Sequence, residues 1–127
     1  MILKSGVDWP ADIDPAIEKA KAIIDEVHRE ETGDEATCTS AFRPATPGGS
    51  SLHPKKRALD LRTWLFGDAN TDTGKARVRK FAARLRERLG PDYDVIVEGP
   101  AAEKPKYLTY ADGTKRNPHV HVEHDPR

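Results

Sequence analysis

Apolar positions fall into two helical stripes and several short extended runs. Ile17, Ala20, Ile24 and Val27 recur three or four residues apart, with Glu18, Lys21, Asp25 and Arg29 on the other side. Asp14-Pro15 ahead of them is a helix start: a capping carboxylate, then proline at the first helical position. The helix should end near Glu31, and Gly33 supplies the exit. The second stripe, Val78, Phe81, Ala82, Leu85 and Leu89, predicts a helix from about Thr73 to Leu89, stopped by Gly90-Pro91. Its opposite face carries Lys75, Arg77, Lys80, Arg84 and Arg88. That face reads as a solvated helix surface, because charge runs usually are, rather than as an anion-binding face.

The extended runs lie between and after the helices. Residues 36–42 are dominated by small and β-branched residues and are uncharged, a strand that Arg43-Pro44 terminates. A loop follows, with Pro47-Gly48-Gly49-Ser50 at its tip. Ala58 to Trp64 alternates as a strand, with Ala58, Asp60 and Arg62 on one face and Leu59, Leu61 and Thr63 on the other. Tyr93 to Glu98 and His119 to Glu123 are two further strands. The polar segment from Gly99 to Asn117 joins them and is of a length often used for lids. Tyr107, Leu108 and Tyr110 give it something to pack with, and the first twelve residues read as irregular.

Composition narrows the picture. At 127 residues the chain is a single domain, 1–127, large enough for a real core. Its 21 basic and 21 acidic residues cancel, so nothing calls for nucleic acid or an acidic membrane as partner. Cys38 is the single cysteine, which leaves no internal disulfide; among small residues it reads as a buried, inert thiol. Met1 to Gly6 has no apolar core of a signal peptide, and no stretch reads as a membrane span. The expectation is a monomer made and folded in the cytoplasm.

Chemistry concentrates in two distant stretches. Ser51-Leu52-His53 is followed by Asp60, and His119-Val120-His121-Val122-Glu123 lies near the C-terminus. His119, His121 and Glu123 alternate onto one strand face, and His124 points to the other. His53, Asp60, His119 and His121 are zinc-type ligands: all four would make a closed structural site, and any three would leave a position open for water. Neither pair specifies a metal alone; together they strengthen each other. Arg43 is either a surface ion pair or an anchor for a carboxylate or oxyanion. His28, on a helix flank, reads as a surface residue.

Ser51-x-His53-x6-Asp60 followed by His119-x-His121 resembles the fold group of lysostaphin-type, D-Ala-D-Ala and hedgehog-like zinc proteins. Thr39-Ser40-Ala41-Phe42-Arg43 resembles the strand ending in Arg before the first zinc His of M15-type peptidases. With Arg57 to Arg62 and Tyr93 to Glu98, the likeness to small M15-like proteins of phages and prophages runs from Leu3 to Pro126. It implies an α+β fold with a small central antiparallel sheet flanked by two main helices. It implies Zn2+ on His53, Asp60 and His121, His119 as the catalytic group and Arg43 at the scissile carbonyl. Ser51 and Glu123 would support the ligands, and Glu98 is the fallback catalytic carboxylate, since these peptidases often use Glu where this chain has His119. The implied substrate is a peptidoglycan stem peptide, cut by a carboxypeptidase or endopeptidase in phage lysis or wall remodelling after release through a holin. The other implied class is a non-catalytic zinc module, for binding or as a phage structural part. Two departures stand out: Lys56 where the family usually has glycine, and a longer segment from Gly99 to Asn117.

Overall fold

The computed structural model of the chain describes residues 1–126. Its elements are β1 (Ile2–Leu3), α1 (Pro15–Thr32), β2 (Thr37–Ser40), β3 (Ala58–Leu61), α2 (Asp72–Leu89), β4 (Tyr93–Glu98) and β5 (His119–His124). One five-stranded sheet has the order β1-β2-β3-β5-β4. The fold is α+β, as expected.

The expected antiparallel sheet is in fact mixed. Ile2–Leu3, read as irregular, pairs parallel with β2, while β2, β3, β5 and β4 are antiparallel neighbours. Two residues carry no legible alternation, so only the free edge of β2 defines β1. β3 stops at Leu61 rather than Trp64, because Trp64–Phe66 turns into a short 3-10 helix that buries Phe66.

Local chemistry sets the helix ends. Asp14 Oδ1 accepts from Ala16 N at 2.8 Å, Pro15 follows, and Gly33 closes α1 in the left-handed conformation. At α2, Thr71 Oγ1 accepts from Gly74 N at 3.1 Å. A Cβ on Gly74 would come within 1.9 Å of Asp68 O, so only glycine fits there.

Both helices cover the same face of the sheet. Ile17, Ala20, Ile24 and Val27 of α1 and Val78, Phe81 and Leu85 of α2 share one buried cluster with Leu59, Leu61, Val95, Val97, Val120 and Val122. The basic face of α2 is not simply solvated: Lys80 and Arg84 reach Glu31, Arg84 also Glu30, and Arg88 Glu26, all on α1. His28 is a correction too. It is buried, its Nδ1 lies 2.5 Å from Asp34 O, and its ring meets Phe66 and Phe81 edge-on at 5.3 and 5.5 Å. A polar ring with its hydrogen bond satisfied fits an apolar core, and here it extends the α1 stripe. No helix among the described residues is long and apolar enough to cross a membrane.

Candidate metal centre

The helices leave the other sheet face to polar residues. Register puts Asp60 of β3 directly opposite His121 of β5, and Glu98 of β4 opposite His119. The third member arrives from outside the sheet. His53 starts a 3-10 turn, His53–Lys55, and Ser51 Oγ accepts from His53 N at 3.2 Å to hold that turn. Lys56 closes it at φ 61°, the left-handed conformation that a glycine would take without strain. Lys56, with its Cβ, holds this conformation at the expense of local strain.

His53, Asp60 and His121 form a buried group whose candidate ligand atoms all lie within 4.8 Å of one another. His53 is fully buried, and its Nδ1 donates to the carbonyl of Ala41 in a short hydrogen bond. That contact puts a proton on Nδ1, so the neutral ring carries its lone pair on Nε2. Nε2 sits 3.3 Å from Asp60 Oδ1 without making a hydrogen bond. Among the described residues it is the one buried side-chain polar atom with no hydrogen-bond partner. A lone pair facing a carboxylate in a buried site is unfavourable unless a cation lies between them.

His121 completes the arrangement. Nδ1 is 2.9 Å from Asp60 Oδ1, and Nε2 is 2.6 Å from Glu123 Oε1. A carboxylate behind a histidine fixes the ring and directs its other nitrogen to a metal. A tetrahedral zinc with bonds of about 2.0–2.1 Å separates its ligand atoms by about 3.4 Å. The observed 2.9 and 3.3 Å from Asp60 Oδ1 are of that size. Two nitrogens and one oxygen, buried and oriented from behind, form a group that could hold a metal ion.

The electrostatics show what the cluster does with protons when it has no metal. Burial pushes Asp60 up, but the hydrogen bond from His121 and the closeness of His53 and His119 outweigh it and hold the carboxyl well below the usual range. Burial pushes His121 down, and the hydrogen bonds to Asp60 and Glu123 reverse that, raising it to about 9. The proton on His121 then takes the role that a metal ion would otherwise fill.

His119 sits beside this group. Its Nε2 is 3.8 Å from Asp60 Oδ1 and 2.7 Å from Glu98 Oε2, and its Nδ1 is 2.8 Å from Asn117 O. Both ring nitrogens thus face acceptors. Burial pulls His119 down, and Glu98 with Asp60 raises it above its ordinary value. Glu98 shows the converse: burial lifts it, and His119 and Arg116 bring it below the usual range. Arg43 reaches the cluster through Nη2, 3.5 Å from Asp60 Oδ2, with about half of its side chain exposed (53%). Cys38 takes no part; burial pushes its thiol up to about 11.

All eight residues singled out in the sequence converge on this face: His53, Asp60, His121, His119, Glu98, Arg43, Ser51 and Glu123. Two participants were not foreseen. The Ala41 carbonyl gives no side-chain signal. Arg116, which donates to Glu98 Oε1, stood in the sequence as one cation in a polar loop. No family model, no curated protein and no solved structure matches the chain.

Proposed function

We propose that the chain is a zinc-dependent peptidase of peptidoglycan stem peptides, on the M15-type and hedgehog-like zinc fold that its motifs resemble. The observation that carries this is the buried His53 Nε2, a lone pair without a hydrogen bond, aimed at the Asp60–His121 pair. His53 Nε2, Asp60 Oδ1 and His121 Nδ1 would hold the ion, backed by Ala41 O and Glu123. When bound, zinc supplies a Lewis acid that activates water and polarises a carbonyl.

The remaining residues have roles that follow from position. His119 and Glu98 share a proton across 2.7 Å at the edge of the cluster, the place where a proton from water is held and returned to the departing amine. Asn117 O fixes the ring from behind. Arg43, half exposed beside Asp60, offers positive charge to the oxyanion.

One observation favours a non-catalytic zinc module instead. Both His119 nitrogens and both Glu98 oxygens are already engaged. Zinc content and muropeptide hydrolysis, measured on the wild type, His121→Ala and His119→Ala, separate the readings. A peptidase loses zinc and turnover with His121→Ala, and turnover alone with His119→Ala. A binding module carries zinc and never hydrolyses. A wild type that folds and takes up no zinc sinks both.

A further inference from the structure

The long segment between β4 and β5 is folded around Arg116. Pro105–Tyr107 forms a 3-10 turn, and Thr109 bridges Lys115. Arg116 N donates to Leu108 O at 3.1 Å and its Nε to Thr109 O at 3.2 Å. Its guanidinium lies over Tyr110 at 4.5 Å and Tyr107 at 5.6 Å. The ends of the segment are pinched together: Gly99 has φ +94°, and a Cβ there would meet Pro118 Cα at 2.9 Å. α2 holds its first residues separately, with Arg79 donating to Ala101 O and Ala102 O at 2.9 and 3.2 Å. The segment therefore does not depend on Arg116 alone for its anchorage.

Beside Asn117 O on His119 Nδ1, Arg116 is the side chain by which this loop touches the site. Its Nη1 donates to Glu98 Oε1, while Glu98 Oε2 faces His119 Nε2 at 2.7 Å. All three side chains are largely shielded, at 21%, 12% and 17% exposure. A carboxylate gripped on one oxygen presents the other in one orientation, and a charge-assisted contact is strongest where water is excluded. We infer that Arg116 is a positioning residue for the candidate site, acting through Glu98 to fix His119, so that the β4–β5 loop is a support of the site rather than a lid over it. For turnover the inference rests on the peptidase reading; for the arrangement of His119 it does not.

The test compares Arg116→Met, Arg116→Lys and Tyr110→Ala with wild type in two readouts. The first is the exchange-protected Nε2–H signal of His119 in proton NMR of the metal-free protein, with protease resistance of the loop followed alongside. The second is steady-state hydrolysis of muropeptides at full zinc occupancy. Arg116→Met should lose the protected signal and lower kcat by about 10- to 100-fold with KM little changed, the scale of a misplaced catalytic group. Arg116→Lys should recover most of both, because one nitrogen meets Glu98. Tyr110→Ala removes the stacking contact and leaves the Glu98 contact, so it should keep the signal and kcat even if the loop is cut faster. Retention of the signal in Arg116→Met overturns the inference. So does its equal loss in Tyr110→Ala, which would make Arg116 a loop-packing residue only. A wild type without turnover defeats the peptidase reading, and the NMR comparison still decides the role of Arg116.

Discussion

On β3 and β5, Leu59, Leu61, Val120 and Val122 point into the helices and are fully buried, while Asp60, His119, His121 and Glu123 of the same strands point the other way. Each face obeys a different rule. On the covered face any apolar group of suitable volume serves, and stability is spread over a cluster drawn from both helices and four strands. On the open face each group depends on particular partners at set distances: Ala41 O for His53, Asp60 and Glu123 for His121, and Glu98 and Asn117 O for His119. Like charges also stand directly opposite there, Asp94 against Glu123, an arrangement that weakens a sheet. The covered face holds the fold together, and the open face draws on that stability to keep ligand groups crowded.

The largest expected effect breaks the covered face. Leu61→Ala, one residue from Asp60, should lower the unfolding free energy by about 2–5 kcal/mol, because it opens a cavity in a fully buried site. Chemical denaturation measures the loss. Zinc affinity per folded molecule should stay near wild type, since Leu61 touches the ligands only through the backbone. A matching fall in zinc affinity would show that the two faces are not separable.

A second, comparable effect sharpens the open face and depends on pH. His121 is raised to about 9 in the folded, metal-free protein, from an ordinary value of 6.5. Its contribution is therefore fully present below pH 6.5 and is lost as pH rises toward 9, a span worth about 3 kcal/mol. Asp60 is depressed, so its contribution is present above the ordinary value of 3.8 and is lost as pH falls below it. The two shifts describe one pair and are counted once. If zinc binds at His121 as proposed, it replaces the proton there, and added zinc should raise the melting temperature more at pH 9 than at pH 6. Melts with zinc and with chelator at both pH values test this, and an equal shift at both would remove His121 from the ligand set.

The two faces were not equally legible in the sequence. The covered face was, because a capped 3.6-residue stripe and an alternating strand are local patterns. β4 runs from Tyr93 to Glu98 as its sequence reads, and α1 starts after Asp14 as its cap requires. His28 shows where polarity misled: on a helix flank it reads as a surface residue, yet it stands four residues after Ile24 and is buried. Its hydrogen bond to Asp34 O, two residues past the end of the helix, satisfies the ring in the core. On the open face the ligand types and their alternation could be read, so His53, Asp60, His119 and His121 stood out. Their partners could not. A backbone carbonyl such as Ala41 O carries no letter of its own, and the pairing of Arg116 with Glu98 depends on how a long loop folds back on its root. The ion-pair partners of the solvated basic stripe of α2 were hidden for the same reason, since Glu26, Glu30 and Glu31 lie on another helix.

The smallest expected effect lies at the turn that joins the two regimes. Lys56 sits at φ 61° and ψ 30°, immediately after the His53 turn. Its N donates to His53 O at 3.0 Å, and its O accepts from Asp14 N at 3.0 Å. The backbone is therefore held at both ends in a conformation that costs a residue with a Cβ about 1 kcal/mol or more. Lys56→Ala keeps that strain and removes an exposed contact to Asp12 and the approach of the ammonium to the Phe42 ring at 5.8 Å. Lys56→Gly removes the same two contacts and the strain, partly offset by the freedom glycine gains in the unfolded chain. The glycine variant should thus be more stable than the alanine variant by about 1 kcal/mol in denaturant titrations. Zinc affinity should be equal in both, because Ala41 O and Ser51 Oγ hold His53 independently of residue 56. An alanine variant as stable as the glycine one would mean that the turn relaxes freely and stores no strain at residue 56.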